Sequence, residues 1–146
     1  MKKLVVLAGI MILVACNKEN NPQPPPMSRT DFFSNEKDLQ QKIQTALDQH
    51  RPGEKLERIE SISYIDSRNK SFAFVFYRSN KGSSNVVIQK QYLGRDQYAV
   101  NSVKCDGAGC DCKVKTIIGN NGDVTLDCSC SSCTMLVNTV AAPNYN

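Results

Sequence analysis

Six cysteines fall in the last third of the chain: Cys105, Cys110, Cys112, Cys128, Cys130 and Cys133, spaced C-x4-C-x-C-x15-C-x-C-x2-C. A thiol can be oxidised to a structural disulfide, ligate a soft metal as the thiolate, or exchange with another disulfide. Between the two halves runs KVKTIIGNNGDVTLD, two short β-type runs around Gly119-Asn120-Asn121-Gly122. That is a hairpin signal. A turn with Gly122 as the left-handed bulge residue sets Gly119 opposite Asp123. In that register Cys110, Cys112, Cys128 and Cys130 share one face with Val114, Thr116, Ile118, Val124 and Leu126. Lys113, Lys115, Asp123, Thr125 and Asp127 lie opposite, so the pattern is apolar inside and charged outside.

The first chemistry is stapling. Residues facing each other across an antiparallel pair have Cα atoms ~4.5–5.5 Å apart, within disulfide reach, whereas i and i+2 on one strand do not bond. The mirrored spacing predicts nested bridges, with Cys105 or Cys133 outermost and the CxC pairs cross-linking the hairpin; other connectivities stay open. The second is metal: Cys110, Cys112, Cys128 and Cys130 could form a tetrahedral S₄ site for Zn²⁺ or a thiolate cluster for Cu(I). Cys128-Ser-Cys-Ser-Ser-Cys133 is similar to a fragment of a metallothionein, which implies a metal-binding role. Six cysteines beside an apolar-patterned domain depart from that cysteine-dense family. The third is thiol redox through Cys130-Ser131-Ser132-Cys133; a thioredoxin-type CxxC sits at a helix N-terminus after a strand, where the dipole lowers the thiol pKa. Here Thr134-Met135-Leu136-Val137 reads as strand, and no βαβ unit surrounds it. C-x4-C-x-C also departs from the plant-type ferredoxin spacing, so an iron–sulfur site is discounted.

The elements that must position this region read as follows. Ser34 is a candidate helix cap, with Glu36 and Asp38 in the first turn. Leu39, Ile43, Ala46 and Leu47 make one apolar stripe that ends at Pro52-Gly53. His50, the single histidine, falls in the last turn, where a protonated ring would favour the terminal carbonyls. The period then shifts toward two, and Leu56–Ile65, Ser71–Arg78, Asn85–Leu93 and Gln97–Val103 read as strands of an antiparallel meander. Phe72, Phe74 and Phe76 share one face of the second strand; Ala73, Val75 and Tyr77 share the other. Two apolar faces predict a central strand with the helix across one side. The expected class is therefore α+β: one N-terminal helix packed on an antiparallel β-meander, followed by a cysteine-rich C-terminal β-hairpin spanning 105–133. Gly107-Ala108-Gly109 reads as a flexible connector.

The N-terminus reads as an address. Lys2 and Lys3 precede ten apolar residues, Leu4 to Leu13. A bilayer-spanning helix needs ~20, so the run fits a secretory signal. Leu13-Val14-Ala15-Cys16 resembles the lipobox of bacterial lipoproteins. The resemblance implies a signal peptide at 1–15, cleavage before Cys16, and acylation of Cys16 to insert in a lipid bilayer. Asn17 is not the Asp associated with inner-membrane retention, which points to the outer membrane or cell surface. Residues 16–30 then form the lipidated cysteine and a tether, with Pro22, Pro24, Pro25 and Pro26 favouring extended polyproline II. Residues 31–146 form the single folded domain.

The chain has 146 residues and a formal charge of +4, which falls to +2 once Lys2 and Lys3 leave with the signal. That is too little for a nucleic-acid footprint. No GxSxG, HExxH, P-loop or dinucleotide fingerprint is present. Carboxylates are scattered singly and one histidine at a helix end makes no nucleophilic triad, so the chain reads as non-enzymatic. The expectation is a membrane-anchored, exported lipoprotein of the bacterial envelope whose small disulfide-stapled domain has a binding or structural role and no resident cofactor. Two alternatives stand beside it: a thiolate lipoprotein carrying Cu(I) or Zn²⁺, and a thiol–disulfide redox protein.

Overall fold

The structure, a computed structural model, describes residues 32–94 and 97–140. The segments read from sequence as signal peptide and tether, with Cys16, lie outside the described residues. The described elements are a helix α1 (Glu36–His50) and strands β1 (Leu56–Ser67), β2 (Lys70–Ser79), β3 (Gly82–Gly94), β4 (Gln97–Gly107), β5 (Val114–Ile118), β6 (Val124–Cys128) and β7 (Cys133–Val140).

The α+β class expected from sequence is overturned: the protein is mostly β, with seven strands against one fifteen-residue helix among the described residues. Two causes account for this. The meander strands run longer than their apolar cores, through polar residues such as Asp66, Ser67 and Asp106, because a ladder needs only paired backbone. The chain also does not end on the hairpin. β7 returns antiparallel to β4, pairing Gly107 with Cys133 and Val103 with Val137, and completes a five-stranded sheet ordered β1-β2-β3-β4-β7. The hairpin β5–β6 is a separate two-stranded sheet inserted between those neighbours.

Alternation along β2 dictates the layers. Ala73, Val75 and Tyr77 face α1 and pack with Phe32, Phe33, Leu39, Ile43, Ala46 and Leu47. Phe72 and Phe74 face the other way, onto Val87, Val103, Val114 and Val124. A strand apolar on both faces needs cover on both, and the hairpin supplies the second cover. The helix starts one residue later than expected. Asn35, not Ser34, is the N-cap and accepts from Asp38 N (2.9 Å), while Asp38 Oδ2 accepts from Ser34 N (2.9 Å). The reciprocal arrangement satisfies two otherwise free donors.

The hairpin register matches the bulged turn: Ile118 pairs with Val124 and Val114 with Cys128, while Gly119 N donates to Asp123 O (2.8 Å) and Gly122 has φ +80°. Its inner face is narrower than expected. Val114 and Val124 are buried, but Ile118 near the tip is 68% exposed. Two polar side chains fasten the hairpin to the main sheet as stand-in strand partners. Asn85 of β3, 1% exposed, donates from Nδ2 to Val114 O (2.8 Å) and accepts at Oδ1 from Val114 N (2.8 Å). Ser67 Oγ at the end of β1 accepts from Val124 N (3.0 Å), and Arg68 Nε beside it bonds Asp123 Oδ1 (2.8 Å). Removing the Asn85 amide would strand a buried donor and acceptor together. Asn85→Ala is expected to cost about 2–4 kcal/mol in urea unfolding. A loss under 0.5 kcal/mol would mean the hairpin is not held there.

Candidate functional site

The cysteines converge where the base of the hairpin meets the β4–β7 edge. Three bridges form: Cys105–Cys128, Cys110–Cys130 and Cys112–Cys133, with Cα–Cα distances of 5.7, 6.9 and 5.7 Å. Of the expected nested set only Cys110–Cys130, which joins the two CxC units, is formed. Cys105–Cys128 and Cys112–Cys133 cross it, so the bridges join the first cysteine to the fourth, the second to the fifth and the third to the sixth. The reason is where the strands stop. β5 begins at Val114 and β6 ends at Cys128, so Cys110, Cys112 and Cys130 sit in the connectors and follow no hairpin ladder. Cys128, the one cysteine in the hairpin ladder, bonds to Cys105 on β4 within the same buried cluster as Cys112. Cys133 opens β7 and is carried to Cys112 by the return of that strand.

The sequence-level metal set Cys110, Cys112, Cys128 and Cys130 is therefore not the set that the fold assembles. Cys110, Cys112 and Cys133 have sulfurs within 4.8 Å of one another. Cys110 Sγ lies 3.2 Å from Cys133 Sγ and 3.8 Å from Cys112 Sγ, and Cys133 Sγ lies 3.6 Å from Cys130 Sγ. Two disulfides thus lie side by side in van der Waals contact. Cys110 is exposed, Cys130 and Cys133 are half-buried, and Cys112 is buried. The CxxC cysteines are neighbours but belong to different bridges. Ser132 Oγ is 3.3 Å from Cys110 Sγ. An open cleft of about 520 Å³ runs past Cys130 and Cys133, with Lys115, Asp127, Ser131 and Met135 in its lining.

Gly107 permits this packing. A Cβ there would meet Ser132 O at 2.5 Å, Cys133 Cα at 3.0 Å and Cys112 Sγ at 3.2 Å. The residue read as a flexible connector is a close-approach point between β4 and the cluster.

A second cluster, under the C-terminal end of α1, was not singled out in the sequence. Lys104 and Glu54, each 1% exposed, pair at 3.0 Å (Nζ–Oε2) and 3.2 Å (Nζ–Oε1). Glu54 Oε1 also accepts from Tyr77 OH (3.0 Å) and Ser79 Oγ (2.9 Å), and Lys104 Nζ contacts Tyr77 OH. Arg51 Nη2 pairs with Asp106 next to it. The signal was the alternation Ser102, Lys104, Asp106, three polar side chains on the helix face of β4 opposite Val103 and Cys105. Burial acts to raise the Glu54 carboxyl, but the Lys104 hydrogen bond and charge, with Ser79 and Tyr77, outweigh it and hold it below its ordinary value. Burial pulls the Lys104 ammonium down, and Glu54 opposes that in part. Burial, reinforced by the Glu54 charge, pushes the Tyr77 phenol up. With both charges sealed from water, this cluster positions β4 rather than performing chemistry.

His50 joins it in a way opposite to the sequence expectation. It is 8% exposed and does not cap the helix with a charged ring. Asn138 Nδ2 donates to Nδ1 (3.2 Å), which leaves Nε2 to carry the proton toward Ser102 Oγ (3.1 Å). A second ring proton would face the Asn138 N–H. Burial, and then the Lys104 charge, hold the imidazole below 6.5.

These shifts have a sign. Below pH 6.5 the unfolded chain protonates His50 before the folded one does, so stability drops as pH falls. Glu54 adds a second loss, since its stabilisation is present above 4.5 and disappears as pH falls through its lower folded value. Urea midpoints are expected to be level just above neutrality, to decline below 6.5 and to fall more steeply below 4.5. His50→Gln should flatten the first decline. Glu54→Gln should cost about 3–5 kcal/mol at pH 7 by leaving Lys104 uncompensated. An unchanged profile in His50→Gln would contradict the neutral-ring assignment.

Compared with known proteins, the chain matches no family model, no curated protein and no solved structure.

Proposed function

We propose that this chain is an exported lipoprotein, held to a membrane by an acylated Cys16, whose disulfide-stapled, mostly β domain serves a non-enzymatic binding or structural role in the bacterial envelope. The observation that carries the reading is the cysteine balance. All six cysteines of the described region are consumed in three bridges, and the seventh, Cys16, is the one at the lipobox-like site. Disulfides in this number belong to an oxidising compartment, which is where a secretory signal leads. No helix among the described residues is long and apolar enough to cross a membrane. Lipid on Cys16 would supply the anchor, at ~0.8 kcal/mol per buried CH₂. A tether of residues 17–30, extended at ~3.1 Å per residue, would hold the domain up to about 40 Å from the bilayer. The destination proposed from Asn17 is the outer membrane or cell surface.

One observation favours a second reading, a thiolate site for Cu(I) or Zn²⁺. The mutually close sulfurs of Cys110, Cys112 and Cys133 would be its ligands after reduction. The two readings differ in thiol state on export, oxidised in the first and reduced with stoichiometric metal in the second.

Fractionation of the native envelope tests the anchor. The wild-type chain should pellet with membranes and carry an acyl mass increment on Cys16 as its first residue. Cys16→Ala should lose that increment and keep its signal uncut. An unlipidated wild-type chain, or a Cys16→Ala chain cut and bound like wild type, would refute the reading.

A further inference from the structure

We infer that the paired bridges Cys110–Cys130 and Cys112–Cys133 form a thiol–disulfide exchange site for a small thiol, in which reduction entering at Cys130 is passed to Cys112. The inference goes beyond the envelope role and does not rest on the lipid anchor. Two features carry it. An open cleft runs past Cys130 and Cys133, both half-buried, so a small thiol can approach Cys130 from solvent. Cys110 Sγ stands between two groups that make it both a leaving group and a nucleophile: the Ser132 hydroxyl at 3.3 Å and Cys133 Sγ at 3.2 Å.

The steps balance. A small-molecule thiolate attacks Cys130 Sγ, forming a mixed disulfide there and breaking the Cys110–Cys130 bond. The Cys110 thiolate released can accept a hydrogen bond from Ser132 Oγ. It then attacks Cys133 Sγ, already in contact, forming Cys110–Cys133 and releasing Cys112 as thiolate, which takes a proton from water. Contact between the reacting atoms makes this second step intramolecular and fast relative to encounter with another thiol. Cys112 is 9% exposed, so the thiol it becomes is shielded from further encounter with solvent thiols. A second small-molecule thiolate resolves the mixed disulfide at Cys130, giving the oxidised small molecule and a Cys130 thiol. The net change is two electrons: one bridge is lost, and the thiols reside at Cys112 and Cys130. Cys105–Cys128 stands outside the relay and keeps the hairpin in place.

The experiment uses the full exported chain and glutathione as the probe. Aliquots are quenched in acid at early times, denatured, alkylated at acid pH and mapped by tandem mass spectrometry. Molecules bearing glutathione on Cys130 should carry the alkyl label on Cys112, with labelling of Cys112 exceeding that of Cys110 by roughly tenfold. The double variant Cys112→Ser with Cys133→Ser removes the acceptor bridge, and its label should move to Cys110. Wild-type label on Cys110 with Cys112–Cys133 intact, glutathione on Cys110, or a cluster that does not react would each overturn the inference. The wild-type mapping decides the matter even where the double variant does not fold.

Discussion

The bridge from Cys105 in β4 to Cys128 at the end of β6 fixes a hairpin of five-residue strands against a sheet face lined by Phe72, Phe74, Val87 and Val103. A two-stranded ribbon this short is marginal in water on its own. Without the hairpin, that apolar face would be open to solvent; without that face, the hairpin would have nothing to order it. The bridge closes a loop with a sequence separation of 23, which removes ~3 kcal/mol of disorder from the unfolded chain. Asn85 and Ser67 then finish the docking by satisfying Val114 and Val124 backbone groups that the hairpin's own ladder leaves free. The other two bridges follow from this placement, because it brings the connectors of the hairpin against Gly107 and the start of β7.

On the opposite face, within an otherwise apolar layer beneath the helix, one buried charge pair fixes β4. Lys104 is the immediate neighbour of Cys105, and the strand that presents the cysteine to the hairpin presents the lysine to Glu54 beneath the helix. A buried pair of this kind adds little net stability over an apolar pair of the same shape, but it makes misplacement costly. Sliding β4 along the sheet would strand Lys104 and misalign Cys105 together. The two layers are thus coupled through alternate residues of one strand.

Local periodicity made much of this architecture legible. Alternation in Ser71–Arg78 announced a strand with two buried faces, and Gly119 with Gly122 announced the register of the hairpin. The stripe Leu39, Ile43, Ala46, Leu47 located the buried side of the helix. What the sequence hid was non-local. The strand character of Thr134–Val137 was visible, but its return to β4 across the hairpin was not, and that return determines both the mostly β class and the partner of Cys133. Cysteine pairing is only partly legible because the mirrored spacing runs past the hairpin ladder, which stops at Val114 and Cys128, short of Cys112 and Cys130. Lys104 escaped notice because a charged residue in a strand is ordinarily outward-facing, and its partner Glu54 lies fifty residues away in a turn.

Disulfide mapping of the chain produced in an oxidising compartment, digested at low pH and read by tandem mass spectrometry, tests the central claim most directly. The account predicts peptides linked as Cys105–Cys128, Cys110–Cys130 and Cys112–Cys133, with no free thiol among the six. Nested linkages such as Cys112–Cys128, or six alkylatable thiols, would contradict it and would require a different placement of the hairpin on the sheet.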